Sequence, residues 1–86
     1  MRILIAEDDQ VLADGLLRSL RNVGYAVDRV ASGTEADAAL ASHEFDLVIL
    51  DLGLPKMHGL EVLRKLRGRG SSVPVLILTA ADSVEQ

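Results

Sequence analysis

Asp46-Leu47-Val48-Ile49-Leu50-Asp51 decides the fold, together with the similar stretch Ile3-Leu4-Ile5-Ala6-Glu7-Asp8-Asp9 near the start of the chain. Each is a short apolar run that ends in acidic residues. Strands of a parallel sheet are buried on both faces and therefore read as continuous apolar runs. In open α/β sheets, ligands bind at the carboxyl ends of such strands. The two stretches therefore predict a concentrated negative site, which needs a hard cation or a proton to be tolerated.

The composition fits one small globular domain. Apolar residues make up 49% of the 86 residues, and no cysteine is present to form a disulfide or a thiolate metal site. The net charge of −4 argues against nucleic-acid binding by this segment itself. No apolar stretch approaches the ~20 residues of a membrane span, and strand-like residues begin at Arg2 without a leader. We therefore expect a soluble cytoplasmic protein with no membrane contact.

Strands and helices are predicted to alternate along the chain. Apolar runs predict strands over 2–6, 46–50 and 73–78, and a less regular, edge-like strand over 26–30. Helical periodicity predicts helices over about 10–22, over an alanine-rich segment that follows residue 32, and over about 58–67. This pattern predicts an α/β fold with a mainly parallel sheet. A strand order of 2-1-3-4 would bring both acidic stretches and Thr79 into one crevice.

Local signals mark the ends of the helices. Asp8 or Asp9 can cap the first helix, and Gly24 stands where a C-terminal glycine belongs. Ser32 and Glu35 match a capping box at the start of the second helix. The third helix is expected to bury leucines and expose charges, with Leu60, Leu63 and Leu66 inward and Glu61, Arg64, Lys65 and Arg67 outward.

The last predicted strand suggests an incomplete domain. Residues 73–78 read as a central strand that is apolar on both faces, yet the chain ends at Gln86, just after a helix begins at Asp82. An apolar sheet edge invites pairing with another chain. We therefore expect that residues 1–86 form a C-terminally truncated domain that lacks a fifth strand and the flanking helices.

The acidic stretches suggest phosphoryl chemistry. A side-chain carboxylate can accept a phosphoryl group as an acyl phosphate, provided that a cation and a hydrogen-bond donor balance the phosphoryl charge. Mg²⁺ suits such a site because it binds one or two carboxylates together with water and substrate oxygens. In this interpretation Asp51 is the nucleophile, and Glu7 and Asp8 hold the cation. The Gly53 carbonyl adds one oxygen ligand, and the Thr79 hydroxyl donates a hydrogen bond.

The chain resembles the receiver domain of bacterial two-component response regulators, especially the winged-helix DNA-binding (OmpR/PhoB-like) subfamily. The resemblance covers all 86 residues in the family's order and spacing. It rests on the two acidic stretches and on Leu52-Gly53-Leu54-Pro55, Gly59-Leu60 and Pro74-Val75-Leu76-Ile77-Leu78-Thr79-Ala80.

The resemblance implies a flavodoxin-like sheet and a signalling role. It implies that Asp51 is the phosphoacceptor, phosphorylated by a sensor histidine kinase, and that Thr79 is the switch hydroxyl. Glu7, Asp8, Asp51 and the Gly53 carbonyl match the Mg²⁺ ligands. Pro55 and Gly59 match loop-shaping positions. The domain would not be an enzyme beyond self-catalysed phosphotransfer and dephosphorylation, and it would control transcription through dimerisation and a C-terminal DNA-binding domain.

The chain departs from the family pattern at two points. The phosphate-binding lysine and the aromatic switch residue lie on a fifth strand, which these 86 residues do not contain. Lys56 is not that lysine, because it lies in the loop after Asp51. Ala81 stands where many members of the DNA-binding subfamily carry an arginine, so a contact of the dimer face is expected to differ.

Two rival functions remain. The 86 residues could act only as an interaction or dimerisation module without phosphorylation, pairing or exchanging a strand or helix with a second copy. An aspartyl phosphatase is disfavoured, because such enzymes place a second acid two residues after the nucleophile, where this chain has Gly53.

Each candidate residue also has a purely structural interpretation. The acidic triplet could only cap a helix, where each acid is worth ~0.3–1 kcal/mol. Asp51 and Thr79 could be turn residues, and Gly53 could serve only a close turn. His43 and His58 are expected to be exposed polar residues. The basic run formed by Arg64, Lys65, Arg67 and Arg69 is expected to be a solvated helix face, with a partner contact as the alternative.

Overall fold

Strands and helices alternate along the computed structural model, which describes residues 1–78. The strands are β1 (Arg2–Ala6), β2 (Ala26–Val30), β3 (Leu47–Asp51) and β4 (Val75–Leu78). The helices are α1 (Gln10–Val23), α2 (Gly33–Ser42) and α3 (Gly59–Gly68). The predicted α/β class is therefore confirmed, whereas Thr79 lies outside the described residues.

The four strands form one parallel sheet in the order β2-β1-β3-β4. This confirms the predicted order and places β2 at an edge. Ala6 at the end of β1 is in register with Leu50, and Asp51 at the end of β3 is in register with Leu78. The carboxyl ends of β1 and β3 are consequently neighbours, as the doubly wound topology requires at its switch point.

The sheet separates two apolar layers because side chains alternate along each strand. One face packs against α1, with Ile3, Ile5, Val27 and Ile49 buried there beside Leu16, Leu17 and Leu20. The other face packs against α2 and α3, with Leu4, Ala6, Val48 and Leu50 buried there beside Ala36, Leu54 and Val62. Within residues 1–78, none of the helices combines the length and apolar character that a membrane span requires.

The predicted helix caps are present. Asp9 caps α1 by accepting the backbone N–H groups of Val11 and Leu12 at 3.0 and 3.2 Å. Gly24 ends α1 in the left-handed region, with φ of 106°. Ser32 caps α2 by accepting the N–H of Glu35, whose carboxylate reaches back to the N–H of Ala31.

The burial of α3 differs in part from the prediction. Leu60 was expected to face inward, but it is 47% exposed, whereas Val62 is fully buried. The spacing from Gly59 to Val62 to Leu66 follows the helical period and defines the stripe that α3 buries, so Leu60 lies on another face. In α1 the small Ala13 is buried.

Two strands differ from the prediction in their bounds. β3 includes Asp51, which pairs with Leu78 and therefore belongs to the strand itself. β4 begins at Val75 rather than at residue 73. Pro74 has no N–H to donate to a ladder, but its carbonyl accepts the N–H of Val48 at 3.0 Å.

Candidate functional site

Three carboxylates converge at the carboxyl ends of β1 and β3. Glu7 and Asp8 directly follow β1, and Asp51 is the last residue of β3. One carboxylate oxygen from each of these three residues lies within 4.8 Å of the other two. The expectation that acids from separate strand ends share one site is thus met, although their roles as ligands stay predictions.

Glu7 is the buried member of this acidic cluster, with 5% of its surface exposed. Its N–H continues the sheet by donating to Val30 O at 3.1 Å. Its carboxylate accepts the N–H of Asp9 at 3.0 Å. Backbone and side chain are therefore both fixed, and the carboxylate is held inside the turn that leads from β1 into α1.

Burial raises the pKa of the Glu7 carboxyl above its ordinary value of 4.5. The Asp9 N–H opposes this shift in pKa, while the negative charges of Asp51 and Asp8 add to it. A buried carboxylate beside two others is costly to ionise. The site therefore favours a positive partner at neutral pH, either a proton or a cation.

The Asp51 carboxylate is oriented by the turn that follows it. The N–H of Gly53 donates to Asp51 Oδ1 at 3.2 Å. A Cβ at position 53 would lie 3.9 Å from both carboxylate oxygens, which is an ordinary contact. Position 53 thus does not require glycine for steric reasons, and the predicted role of its carbonyl as a ligand stays a prediction.

The loop after Asp51 packs tightly against two helix starts. At the start of α3, Gly59 donates its N–H to Leu52 O at 2.9 Å. At the start of α2, Gly33 donates its N–H to Pro55 O at 3.0 Å, and a Cβ there would lie 1.8 Å from Met57 O. These two glycines let the backbone of the loop approach both helices, which fixes the loop beside Asp51.

The donor set of the acidic cluster fits a divalent cation such as Mg²⁺. Its members are hard, negatively charged oxygens, the ligand type that Mg²⁺ selects over nitrogen or sulfur. One of them, Glu7, is buried, and this burial together with the negative charges of Asp51 and Asp8 raises its pKa. Glu7, Asp8 and Asp51 are the residues that would hold the ion.

Asp9 has a different role from its two acidic neighbours. Its carboxylate is engaged at the start of α1, where Oδ1 accepts two backbone N–H groups. It is absent from the set of carboxylates that converge with Asp51. The acidic triplet therefore divides into one helix cap and two residues of the cluster.

The histidines and the basic run are exposed or used within the fold. His43 and His58 are exposed as expected, and His58 also caps α3 by accepting the N–H of Leu60. Three arginines of the basic run have partners in the fold: Arg64 pairs with Glu61, Arg69 pairs with Asp37, and Arg67 donates to Ser71 O and Val73 O. These contacts support the structural interpretation of the run.

Sequence reasoning missed Arg29, which reaches the acidic turn from the neighbouring strand. Its Nε and Nη2 donate to Glu7 O at 3.0 and 2.9 Å. In the sequence, Arg29 is one of two polar residues in an edge strand, and such residues usually face solvent. The local pattern contains no signal for this contact, because it depends on the pairing of β2 with β1.

A parallel α/β sheet with a carboxylate cluster at its switch point defines a flavodoxin-like domain with a candidate cation site. The sequence matches the family of response regulator receiver domains over residues 3–86. The chain belongs to this family, and it is therefore a receiver domain of the two-component response-regulator type. The family is one of signalling domains and not of enzymes.

Known proteins resemble the chain in both sequence and structure. It is 52% identical over 84 residues to the response regulator protein PmrA of Pseudomonas aeruginosa, covering 98% of this chain and 38% of PmrA. It is 49% identical over 86 residues to the transcriptional regulatory protein QseB of Haemophilus influenzae, covering 100% and 39%. The chain thus spans less than two fifths of the length of these relatives.

A solved structure with a bound metal has the same fold. The receiver domain of the sensor histidine kinase PA1611 from Pseudomonas aeruginosa, with a magnesium ion coordinated in its active-site cleft, superposes with a TM-score of 0.88 at 33% identity. The match covers 93% of this chain and 67% of that domain. Magnesium binding is therefore a property found among structural relatives of this domain.

Proposed function

We propose that this receiver domain accepts a phosphoryl group on Asp51, with Mg²⁺ held by Glu7, Asp8, Asp51 and the carbonyl of Gly53. The convergence of the three carboxylates within 4.8 Å carries the proposal. Isolated strand-end acids would explain capping or a turn, but their convergence on a buried carboxylate with a raised pKa requires a positive partner.

The transfer forms one bond and breaks one bond at phosphorus. A carboxylate oxygen of Asp51 attacks the phosphorus of a phosphohistidine, the P–N bond breaks, and the histidine nitrogen leaves with its electron pair and takes up a proton. The Gly53 N–H donates to Oδ1 at 3.2 Å, which would favour the other oxygen, Oδ2, as the attacking atom. When bound, Mg²⁺ neutralises charge on the carboxylates and the phosphoryl oxygens. The hydroxyl of Thr79 would donate a hydrogen bond to the phosphoryl group.

The proposed partners of the domain and its regulatory effect follow from this role. The phosphoryl donor would be a sensor histidine kinase in the cytoplasm, and the domain would catalyse at most its own phosphotransfer and dephosphorylation. Relatives that include a transcriptional regulatory protein are more than twice as long as this chain. We therefore propose that phosphorylation shifts a two-state equilibrium toward a homodimer and controls a C-terminal DNA-binding domain outside residues 1–86.

Substitution of the phosphoacceptor tests this proposal. The protein at its natural length is incubated with acetyl phosphate and Mg²⁺, and intact-mass spectrometry measures the bound phosphoryl group. We expect uptake by the wild type, no uptake by Asp51→Asn, and no uptake in EDTA. Asp46→Asn is a matched control, because Asp46 lies just before the same strand at its other end, where its carboxylate accepts the N–H of Arg2. Phosphorylation of Asp51→Asn at the wild-type level would refute the assignment.

A second candidate function is an interaction module that pairs through β4. Leu76 is 55% exposed and Ile77 is 36% exposed on this strand, which is one of the two edges of the sheet that residues 1–78 form. Sedimentation of the 86-residue chain tests this function. Concentration-dependent dimers that Leu76→Ser weakens would support it, and a monomer at high concentration would contradict it.

A further inference from the structure

The side chain of Arg29 joins the edge strand β2 to the turn that carries the acidic cluster. It is half-buried, and its Nε and Nη2 both donate to the carbonyl oxygen of Glu7, at 3.0 and 2.9 Å. Arg29 is in register with Ile5, two residues before Glu7. The guanidinium therefore extends along the strand direction toward the carboxyl end of the sheet, where the acids lie.

The carbonyl that Arg29 holds comes after the last ladder bond of the sheet. Ala6 and Val30 form the final register pair of β1 and β2, and the Glu7 N–H donates to Val30 O. Beyond Val30 the chain turns toward α2, so β2 offers no further backbone donor there. Among the described residues 1–78, the donors to Glu7 O are the two nitrogens of Arg29. The Arg29 side chain thus continues the hydrogen bonding between β2 and β1 by one more acceptor, the carbonyl oxygen of Glu7.

The held carbonyl belongs to the peptide group that joins Glu7 to Asp8. A peptide group is planar, so fixing its oxygen fixes the direction in which the chain leaves toward the next residue. Asp8 is exposed. The peptide group on its other side is held by the Glu7 carboxylate, which accepts the Asp9 N–H at 3.0 Å, so Arg29 holds the first of the two peptide groups that flank Asp8. The orientation of the Asp8 carboxylate toward Asp51 therefore depends on this peptide plane.

We propose that Arg29 is a positioning residue of the cation site: by holding the Glu7 carbonyl from β2, it orients Asp8 toward Asp51 and preorganises the cluster for Mg²⁺. This inference rests on the proposed function. Groups that orient metal ligands without touching the metal typically affect affinity by ~10–100-fold. Arg29 acts here through the backbone of the ligands and is not itself a ligand.

Three variants separate positioning from general stability. Arg29→Met keeps much of the length and removes both donors, while Arg29→Lys keeps the charge but loses the paired N–H geometry. Arg21→Met is the matched control, because Arg21 Nη2 also donates to a backbone carbonyl, Val27 O of β2, at 2.8 Å, which lies away from the acidic turn. Calorimetric titration measures the Mg²⁺ Kd, and urea unfolding in EDTA measures the stability of each variant.

We expect Arg29→Met to raise the Mg²⁺ Kd by about 10-fold, Arg29→Lys to raise it by less, and Arg21→Met to leave it unchanged. If Arg29→Met and Arg21→Met lose similar stability while both keep the wild-type Kd, Arg29 is only structural and the inference is overturned. Arg29→Lys preserves the test if Arg29→Met does not fold, because a wild-type Kd in this variant would show that the paired donors are not needed.

A measurement without metal distinguishes failure of this inference from failure of the proposed function. A wild type that binds no Mg²⁺ would contradict the proposed function. In that case, NMR order parameters of the Asp8 and Asp9 amides in EDTA still report on Arg29. We expect them to fall in Arg29→Met and not in Arg21→Met, and unchanged values would overturn the positioning role.

Discussion

Gly59 packs directly on the backbone of Asp51, so that a Cβ at position 59 would lie 2.5 Å from the Asp51 carbonyl oxygen and 2.6 Å from Leu52 Cα. Both neighbours are backbone atoms and cannot rotate away as a side chain could. The first residue of α3 is thus in contact with the strand end that carries the central carboxylate. This contact explains why the chain needs glycine here, independently of any positive φ.

The close approach predicts that Gly59→Ala destabilises the fold. We expect a loss of about 1–3 kcal/mol in the free energy of unfolding, the usual cost of inserting a methyl group into a filled space. Gly15→Ala is the control, because a Cβ there meets nothing within 4 Å and the site is inside α1. That variant should gain roughly 0.5–1 kcal/mol. Urea unfolding of both variants tests the pair, and equal effects of the two substitutions would contradict the packing argument.

A second glycine, Gly33 at the start of α2, packs against the same loop. A Cβ at position 33 would lie 1.8 Å from Met57 O, so Gly33→Ala must displace the loop between Asp51 and α3. We expect a loss of at least about 1–3 kcal/mol, together with shifted amide resonances at Lys56 and Met57. Gly68→Ala is the control, since a Cβ there has nothing within 4 Å. A Gly33→Ala variant as stable as wild type, with unshifted loop resonances, would refute the prediction.

The raised pKa of Glu7 predicts a pH-dependent stability in the absence of metal. The folded chain holds this proton to higher pH than the unfolded chain, for which the ordinary pKa is 4.5. Between the two pKa values the folded state binds more protons, so the free energy of unfolding falls as the pH rises. Below 4.5 both states are protonated and this loss disappears.

Glu7→Gln should remove this dependence, because glutamine keeps an acceptor for the Asp9 N–H but carries no charge. We expect wild type in EDTA to lose stability as the pH rises from about 4.5 through the raised pKa, and Glu7→Gln to lose less over the same window. The exposed Glu44→Gln is the control and should follow wild type. Parallel stability curves for wild type and Glu7→Gln would contradict the desolvation argument.

The different roles of Asp8 and Asp9 predict that their variants gain different amounts of stability from Mg²⁺. At a Mg²⁺ concentration about 100 times Kd, wild type should gain about 2.7 kcal/mol of stability through ligand binding, and its melting temperature should rise. Asp8→Asn should lose most of this gain, since Asp8 belongs to the cluster around Asp51. Asp9→Asn should keep it, because asparagine still caps α1. Equal gains in the two variants, measured by calorimetric melting, would contradict the ligand role of Asp8.

Several features of the fold could be predicted from local sequence. Continuous apolar runs predicted β1 and β3 because both faces of a central parallel strand are buried. The caps at Asp9, Gly24 and Ser32 were predictable because a cap is set by residues within one helical turn. The proximity of Glu7, Asp8 and Asp51 followed once the strand order was inferred, since parallel strands end at the same side of a sheet.

Other features were decided by tertiary structure. Leu60 belongs to the apolar pattern of α3, yet it is exposed because the stripe that the helix buries runs through Gly59, Val62 and Leu66 instead. The contact from Arg29 to Glu7 joins residues 22 positions apart, and no local pattern encodes it. The sequence by itself thus determined the elements, their caps and the acids at the strand ends, because these depend on local periodicity and nearby hydrogen bonds. Only the packed sheet decided which side chains are buried, where glycine is sterically required and that the Arg29 side chain holds the acidic turn. These features depend on atoms that the pairing of distant strands brings close together.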